Sequence, residues 1–311
     1  IICMIMQLKN KWRNAKMKKL LAVCLTAALT VGMIAGCGSN SDSSNGSSSG
    51  SDKSSAKTAK VIDVDLTSEE YAFGVDKTQP ELLEKVNAFI AKIQDDGTLD
   101  EIFDKYFGGG EPTPVESAAL DESKDQLVVA TNAAFEPFEY MQGDSYVGID
   151  MEIAALLADE LGQELVIQNM DFDAVCLSVG QQKCDIAMAG LTVSDERKEY
   201  VTFSDTYYQA SQRLIVPSDD TTFDGMTDAD TVAAALADLD SSVKIGVQQG
   251  TTGNSYVVGS EDLGFPGLQA TCQTYKSGSL AVQDMLNGNI DYVIIDAAPA
   301  EAITKAINEM Q

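Results

Sequence analysis

Histidine is absent from all 311 residues of the chain, and this absence excludes several chemistries at once. Ser-His and Cys-His catalytic pairs use an imidazole as general base, and many zinc sites use it as a ligand. Cysteine offers no substitute, because none of the six cysteines has the Cys-x-x-Cys spacing of a metal site. We therefore expect neither a metal nor another cofactor.

Basic residues are also scarce. The chain has 21 Lys and Arg against 48 Asp and Glu, which gives a formal net charge of −27. Such a surface repels phosphate backbones, so we expect no nucleic-acid partner. Apolar residues make up 44% of the chain, enough to form real cores in more than one compact unit.

The N-terminal region has the pattern of an export signal. A basic start at Met17-Lys18-Lys19 precedes a short apolar run, and Ile34-Ala-Gly-Cys37 looks like a lipobox. We predict a signal peptide over residues 1–37, with residues 1–16 upstream of the true start. Lipidated Cys37 would then anchor the protein to the extracytoplasmic face of the cell membrane. An uncleaved anchor helix is the alternative.

Two further features follow from composition. Residues 38–57 are rich in Ser and Gly and predict a flexible tether. Cys176, Cys184 and Cys272 remain after export. A bridge between Cys176 and Cys184 stays possible in an exported protein, but we favour two buried free thiols.

Beyond the tether, the hydrophobic pattern predicts alternating strands and helices. Strands at 127–131, 165–168 and 185–189 and helices at 151–161 and 174–179 make one α/β lobe. Strands at 244–247 and 292–295 and helices at 280–286 and 299–310 make a second lobe.

Residues 189–208 carry the strongest functional signal. A buried strand ends at Ala189, a Gly-Leu-Thr turn follows, and Ser194 is placed to cap a helix that holds Arg197. Backbone N–H groups, a Thr hydroxyl and a planar guanidinium together suit a carboxylate. This block resembles the solute-binding proteins of polar amino-acid ABC importers, in which it holds the α-carboxylate of a free amino acid.

The resemblance covers most of the chain, but in an altered order. Residues 126–311 follow the family from its first strand onward, and they stop short of its usual end. The missing return strand and closing helices resemble residues 66–107, at the front. The resemblance therefore implies a circularly permuted member of the family, with its α/β, two-lobe, type II periplasmic-binding-protein (Venus-flytrap) fold.

The permuted order predicts the following organisation after the tether: 58–79 as a lobe-two strand and return hinge, 80–107 as closing helices of lobe one, 108–125 as a linker, 126–208 as lobe one, 209–216 as the second hinge and 217–311 as lobe two. Two lobes joined by two strands can close on a ligand by small hinge rotations.

The resemblance implies ten ligand-binding residues: Asn132, Phe135, Phe172, Gly190, Thr192, Arg197, Gln248, Thr251, Thr252 and Asp296. Arg197, Thr192 and the backbone of Gly190 would bind the α-carboxylate, and Asp296 the ammonium. The two aromatic rings would enclose the aliphatic part of the ligand, and Thr251 and Thr252 would donate from lobe two.

Each of these residues also has an ordinary structural interpretation. Arg197 would be a surface charge, Asp296 a helix cap, the two phenylalanines core, and Thr251 and Thr252 a capping loop. Asn132 and Gln248 stand where relatives often have charged residues, which favours a neutral polar amino acid. Asp150 is interpreted as a supporting residue or helix cap.

The resemblance implies a monomeric, non-enzymatic binding protein that delivers an amino acid to ABC permease transmembrane subunits. A cyclohexadienyl-type dehydratase is an alternative on the same fold, with Glu139 or Asp296 as its acid. A ligand-sensing lipoprotein is another. Two incomplete gene copies without a working cleft, or a chain that swaps segments between molecules, also remain open.

Overall fold

The computed structural model describes residues 57–310, so the predicted signal peptide, Cys37 and nearly all of the tether lie outside the described residues. The strands are β1 Ala59–Ile62, β2 Glu69–Asp76, β3 Gln126–Thr131, β4 Ala134–Phe135, β5 Glu139–Gln142, β6 Ser145–Val147, β7 Glu164–Asn169, β8 Ile186–Ala187, β9 Val201–Ala210, β10 Gln212–Pro217, β11 Lys244–Gln248, β12 Thr271–Tyr275 and β13 Tyr292–Asp296. The helices are α1 Pro80–Asp95, α2 Thr98–Phe107, α3 Ile149–Leu161, α4 Phe172–Gly180, α5 Asp195–Lys198, α6 Ala229–Ala237, α7 Thr252–Val258, α8 Gly278–Leu286 and α9 Ala297–Glu309.

Two five-stranded sheets define two lobes, as predicted for the α/β two-lobe fold. Lobe one has the strand order β7-β3-β8-β2-β9, and lobe two has the order β1-β10-β13-β11-β12. A small antiparallel sheet of three strands, β4-β5-β6, adds to lobe one. Parallel strands β3 and β11 lie inside these sheets and end at Thr131 and Gln248. In open α/β sheets, ligands bind beyond such strand ends.

The front segment supplies parts of both lobes. Strand β1 pairs with β10 at the edge of lobe two, whereas β2 lies between β8 and β9 in lobe one. The chain thus crosses between the lobes twice, between β1 and β2 and again between β9 and β10. Helix α1 packs on β9 and α2 packs on α3.

The interior of lobe one depends on this front segment. Tyr71, Phe73 and Val75 of β2 are almost fully buried, and so are Val86 and Ile90 of α1. Burying one such large apolar side chain contributes on the order of 1.5–3 kcal/mol. The front segment therefore belongs to the hydrophobic core of lobe one.

The segment between α2 and β3, predicted as a linker, is laid along lobe one. Val115 is buried and forms an isolated antiparallel bridge with Tyr146, and the Ala118 N–H donates to the Leu165 carbonyl oxygen at 2.9 Å. Its backbone groups are thus partly paired with the lobe.

Most predicted elements occur with small shifts at their ends. The strand expected at 185–189 is shorter, because the chain turns at Gly190, whose φ is +53°. Helix α8 begins earlier than predicted because the Ser277 side chain accepts a hydrogen bond from the Leu280 N–H and caps it. The sequence analysis did not predict helix α6, strand β12 or the small β4-β5-β6 sheet.

The three cysteines of the described residues, Cys176, Cys184 and Cys272, are free thiols. Cys176 and Cys184 are buried, as the favoured interpretation of two buried free thiols predicts. Within residues 57–310, no helix combines the length and the apolar character needed to cross a membrane.

Candidate functional site

Arg197 lies on the short helix α5 and reaches both lobes. Ser194 caps this helix, its hydroxyl oxygen accepting the Arg197 N–H at 3.2 Å. The guanidinium donates to the carbonyl oxygens of Thr192 in lobe one, at 2.7 Å, and Gly250 in lobe two, at 3.3 Å. It also lies over the Phe172 ring, 5.2 Å from the centroid.

The charge of Arg197 is therefore held by groups that do not neutralise it. Both of its hydrogen-bond acceptors are carbonyl oxygens, and among the described residues no carboxylate forms a salt bridge with it. A guanidinium presented in this way favours an anionic ligand, and its planar fork of donors fits a carboxylate.

Thr192 and Thr252 join the lobes through their hydroxyl groups. The Thr252 hydroxyl donates to the Thr192 hydroxyl at 2.9 Å, which in turn donates to Glu69 Oε2 at 2.7 Å. All three side chains are buried. The two threonines thus meet at the lobe interface, but each hydroxyl already donates its hydrogen to a protein oxygen, so the predicted donation to a ligand competes with these bonds.

Glu69 was missed by the sequence analysis. It lies at the start of β2 and accepts hydrogen bonds from Thr67, Thr192 and Gln212. The available signal was a pair of acidic residues directly before the apolar run at Tyr71, which would place one carboxylate on the buried face of the strand.

Asp296 ends β13 at the N-cap position of α9, yet its side chain makes no capping hydrogen bond. Instead, the Tyr71 hydroxyl donates to Asp296 Oδ1 at 2.5 Å. Burial and the nearby charge of Glu69 raise the pKa of Asp296 to about 7. A cation beside this carboxyl would favour its ionised form, so the position suits an ammonium group.

Asn132 and Gln248 meet directly across the lobe interface. Gln248 Nε2 donates to Asn132 Oδ1 at 2.9 Å, and Asn132 Nδ2 donates to the Met170 carbonyl oxygen at 2.6 Å. Each amide lies at the end of a parallel strand, β3 or β11. The structure therefore brings these two predicted site residues together.

Phe135 and Gly190 shape the lobe-one wall. Phe135 is buried, and a Cβ atom added at Gly190 would lie 3.0 Å from the Phe135 ring and 3.2 Å from the Tyr71 ring. The positive φ of Gly190 also disfavours any side chain. Its N–H donates to Asp150 at 2.9 Å, so the predicted donation to a ligand carboxylate conflicts with this bond.

Thr251 occupies the capping role considered as its ordinary interpretation. Its hydroxyl donates to the Gln248 carbonyl oxygen at 2.8 Å and accepts the Asn254 N–H at 3.4 Å. These bonds fix the loop that leads into α7. The predicted donation from Thr251 to a ligand therefore competes with a bond inside the loop.

Asp150 is fully buried and supports the site from within lobe one. It accepts hydrogen bonds from the Gly190 N–H at 2.9 Å and the Tyr207 hydroxyl at 2.6 Å. Burial raises the pKa of Asp150 to about 7. The supporting role predicted for this residue agrees with these contacts.

This raised pKa makes a testable prediction. The Asp150 carboxyl stays protonated in the folded protein up to about pH 7 but ionises near pH 4 when unfolded. The folded state then holds more protons, so this group costs stability as the pH rises. As the pH rises from about 4 to 7, the unfolding free energy of wild type should therefore fall relative to that of Asp150→Asn. We expect this difference to grow by on the order of 2–4 kcal/mol over that range.

Urea unfolding of the ligand-free protein across that pH range measures the difference. Exposed Asp144→Asn is the control and should parallel wild type. A constant difference between Asp150→Asn and wild type at all pH values would contradict the prediction.

Two cavities flank these contacts. One, of about 160 Å³, lies between the lobes beside Phe172, Arg197 and Thr252. The other, of about 170 Å³, is lined by Tyr71, Asp296 and neighbouring residues of the crossing strands. Arg197 lines the first cavity and Asp296 the second, and among the described residues neither side chain forms a salt bridge.

Comparison with known proteins gives relatives that are named for binding amino acids. The chain is 36% identical over 103 residues to the arginine-binding extracellular protein ArtP of Bacillus subtilis, which covers 33% of this chain and 40% of the relative. It is 28% identical over 171 residues to a probable histidine-binding protein of Neisseria gonorrhoeae, covering 55% of this chain and 58% of the relative. The chain thus spans less than two thirds of either relative.

Among solved structures, an ancestral arginine-binding protein bound to arginine matches with a TM-score of 0.50 and 29% identity, over 59% of this chain and 75% of that one. The model of the bacterial extracellular solute-binding proteins, family 3, matches residues 7–109 and 127–310. These two matched ranges include most of the chain, both before and after the linker. The chain therefore belongs to the bacterial extracellular solute-binding proteins of family 3.

Proposed function

We propose that this protein binds a polar amino acid between its two lobes and delivers it to the membrane subunits of an ABC importer. The observation that carries the proposal is the pair of opposite, unneutralised groups at the lobe interface, Arg197 and Asp296. A free amino acid is a zwitterion whose carboxylate and ammonium groups match them. The relatives named for binding arginine or histidine support the same class of ligand.

In this proposal, Arg197 holds the α-carboxylate of the ligand, and the Thr192 hydroxyl also donates to it by turning its hydrogen away from Glu69. Asp296 holds the ammonium group, which takes over the oxygen that now accepts from the Tyr71 hydroxyl. Phe172, which already packs under the guanidinium, covers the aliphatic part of the ligand. Phe135 supports the opposite side from the core of lobe one.

Closure couples binding to lobe position. The bonds Thr252–Thr192, Arg197–Gly250 and Gln248–Asn132 each join residues of different lobes, so they exist only when the lobes are together. A ligand that contacts both lobes binds the closed form preferentially and shifts the population toward it. The closed form is then the species that the importer recognises.

A thermal-shift screen of the twenty amino acids tests the function. Ligand at 100 times its dissociation constant stabilises the folded protein by about 2.7 kcal/mol, a readily measured rise in melting temperature. We expect at least one polar amino acid to produce this rise, and hydrophobic amino acids to produce none. The absence of any shift across all twenty would contradict the proposal.

We also propose that the protein is a monomer held at the extracytoplasmic face of the membrane by lipid on Cys37. Cys37→Ala removes the thiol that would accept the lipid, so the variant should leave the membrane fraction or fail to mature. Fractionation and metabolic lipid labelling measure this, with Cys272→Ala as the control. Unchanged fractionation and labelling of Cys37→Ala would contradict the anchor.

Binding without catalysis is part of the proposal. A dehydratase needs a general acid placed against its substrate. Asp296 is assigned to the ammonium group, and both carboxyl oxygens of Glu139 are buried. We therefore expect no turnover of prephenate or arogenate, and measurable turnover abolished by Glu139→Gln would favour the enzyme instead.

A further inference from the structure

The two buried amides at the lobe interface form an ordered chain of hydrogen bonds. The Met170 carbonyl oxygen can only accept, so it takes a hydrogen from Asn132 Nδ2 and turns the Asn132 oxygen toward Gln248. That oxygen must in turn receive a hydrogen from Gln248 Nε2. The backbone thereby fixes the orientation of both amides.

Within this series of hydrogen bonds, the Gln248 side-chain oxygen has no partner among the described residues. Gln248 is 1% exposed, and its Oε1 atom is buried without a hydrogen-bond donor. A buried acceptor left unpaired loses its hydrogen bonds to water without a replacement, which destabilises the protein. The fixed orientation prevents Gln248 from turning its oxygen toward Asn132, so the missing donor must come from elsewhere.

Building on the proposed function, we infer that the ligand is an amino acid whose side chain ends in a carboxamide, as in glutamine or asparagine. Its amide N–H donates to Gln248 Oε1. Its carbonyl oxygen accepts one of the hydrogens still available on the amide nitrogens of Asn132 and Gln248. The pair thus offers an acceptor and donors together, the complement of a carboxamide.

A side chain with a full charge fits this wall poorly. A cationic group would lose its hydration against two neutral amides, and burying an uncompensated charge is costly. Among the buried carboxyls, Asp296 is assigned to the α-ammonium group, and Glu69 and Asp150 accept hydrogen bonds from protein groups. An anionic side chain would meet the unpaired Gln248 oxygen, which repels it.

Glu139 is the remaining buried carboxyl to consider as a partner for a cation. Burial, reinforced by the charges of Asp150 and Asp296, raises its pKa well above the usual range. Burial thus disfavours the charged form of Glu139, which makes this carboxyl a poor counter-charge for a cationic side chain. The ligand therefore differs from the arginine and histidine for which the relatives are named.

Titration calorimetry of the wild-type protein with L-glutamine, L-asparagine, L-glutamate, L-arginine and L-histidine tests the inference. We expect glutamine or asparagine to bind at least tenfold more tightly than glutamate, arginine or histidine. Tighter or equal binding of arginine or histidine would overturn the inference while leaving the proposed function intact. Failure of every amino acid to bind would overturn both.

A substitution tests the role of the amide itself. Gln248→Met keeps the length and volume of the side chain but removes both polar groups. It should weaken binding of the carboxamide ligand at least tenfold and leave the affinity for norleucine equal or higher. Gln283→Met, at an exposed position on α8, is the matched control and should behave as wild type. A Gln248→Met protein that still prefers the carboxamide to norleucine as strongly as wild type would overturn the assignment.

Discussion

Arg197→Ala should weaken amino-acid binding at least tenfold while the protein stays folded. The substitution removes a charge-assisted contact to the ligand carboxylate, worth about 1.5–3 kcal/mol. It also removes the donors to the carbonyl oxygens of Thr192 and Gly250, one in each lobe. The closed form therefore loses a contact to the ligand and a contact between the lobes.

The fold should tolerate this change because Arg197 is only half-buried and the Ser194 cap on its N–H survives. Lys198→Ala is the matched control, since exposed Lys198 pairs, among the described residues, only with Asp195 on the same helix. Calorimetry should give Lys198→Ala the wild-type affinity. Near-wild-type affinity for Arg197→Ala, with an unchanged melting temperature, would rule out the carboxylate role.

A chain that begins at Leu127 should aggregate, which is the largest effect expected from any change proposed here. It would lack β2, which lies between β8 and β9 in the lobe-one sheet. It would also expose the core surface that Phe89, Ile90 and Ile102 of α1 and α2 now cover. The two partners of β2 would be left as unpaired strand edges, a known cause of aggregation.

Moving residues 58–107 behind Gln311 should instead restore a soluble monomer that binds the same ligand, which tests the proposed permutation. The Asn308 side chain hydrogen bonds to both backbone groups of Ala59, at 2.9 and 2.8 Å. The end of α9 and the start of β1 are therefore neighbours, and a connection of about 3.3 Å per residue spans the gap.

The relocated chain and the chain that begins at Leu127 should be compared side by side. Size-exclusion chromatography, thermal unfolding and ligand titration should show the relocated chain folded and active and the truncated chain aggregated. Cooperative unfolding and normal ligand binding by residues 127–311 alone would mean that the front segment is a remnant and that the permutation proposal is wrong.

The sequence predicted the lobes well because their signals are local. Each of three patterns can be recognised within a few residues: the apolar run before Ala189, the helix cap at Ser194 and the helix start at Pro80. Strand β12 gave no such signal, since most of its residues are exposed at the edge of the sheet. An edge strand takes its conformation from pairing with β11, which a local pattern does not contain.

The same distinction applies to the candidate site. Arg197 stood out because a whole block of residues surrounds it, and the resemblance lies in that block. The Tyr71–Asp296 and Glu69–Thr192 bonds join positions 225 and 123 residues apart, respectively, so no sequence pattern places them together. These contacts form only when β1 and β2 of the front segment have paired with strands of the two lobes.

The orientation of Gln248 is a third case. The sequence showed two neutral amides and favoured a neutral ligand, but it did not show that they bond to each other. That contact, and the Met170 carbonyl oxygen that orients it, arise from the meeting of two strand ends across the lobes. The unpaired oxygen of Gln248 is a consequence of this tertiary contact.

The measurement that most directly tests amino-acid capture is a calorimetric titration with the best ligand of the screen and with two blocked forms of it. The α-methyl ester removes the charge that Arg197 would hold, and the N-acetyl form removes the ammonium group that Asp296 would hold. We predict that the free amino acid binds and that each blocked form binds at least about 100-fold more weakly, the loss of roughly 2.7 kcal/mol of charged contacts. Equal affinity for the free and both blocked forms would contradict capture of a zwitterion between Arg197 and Asp296.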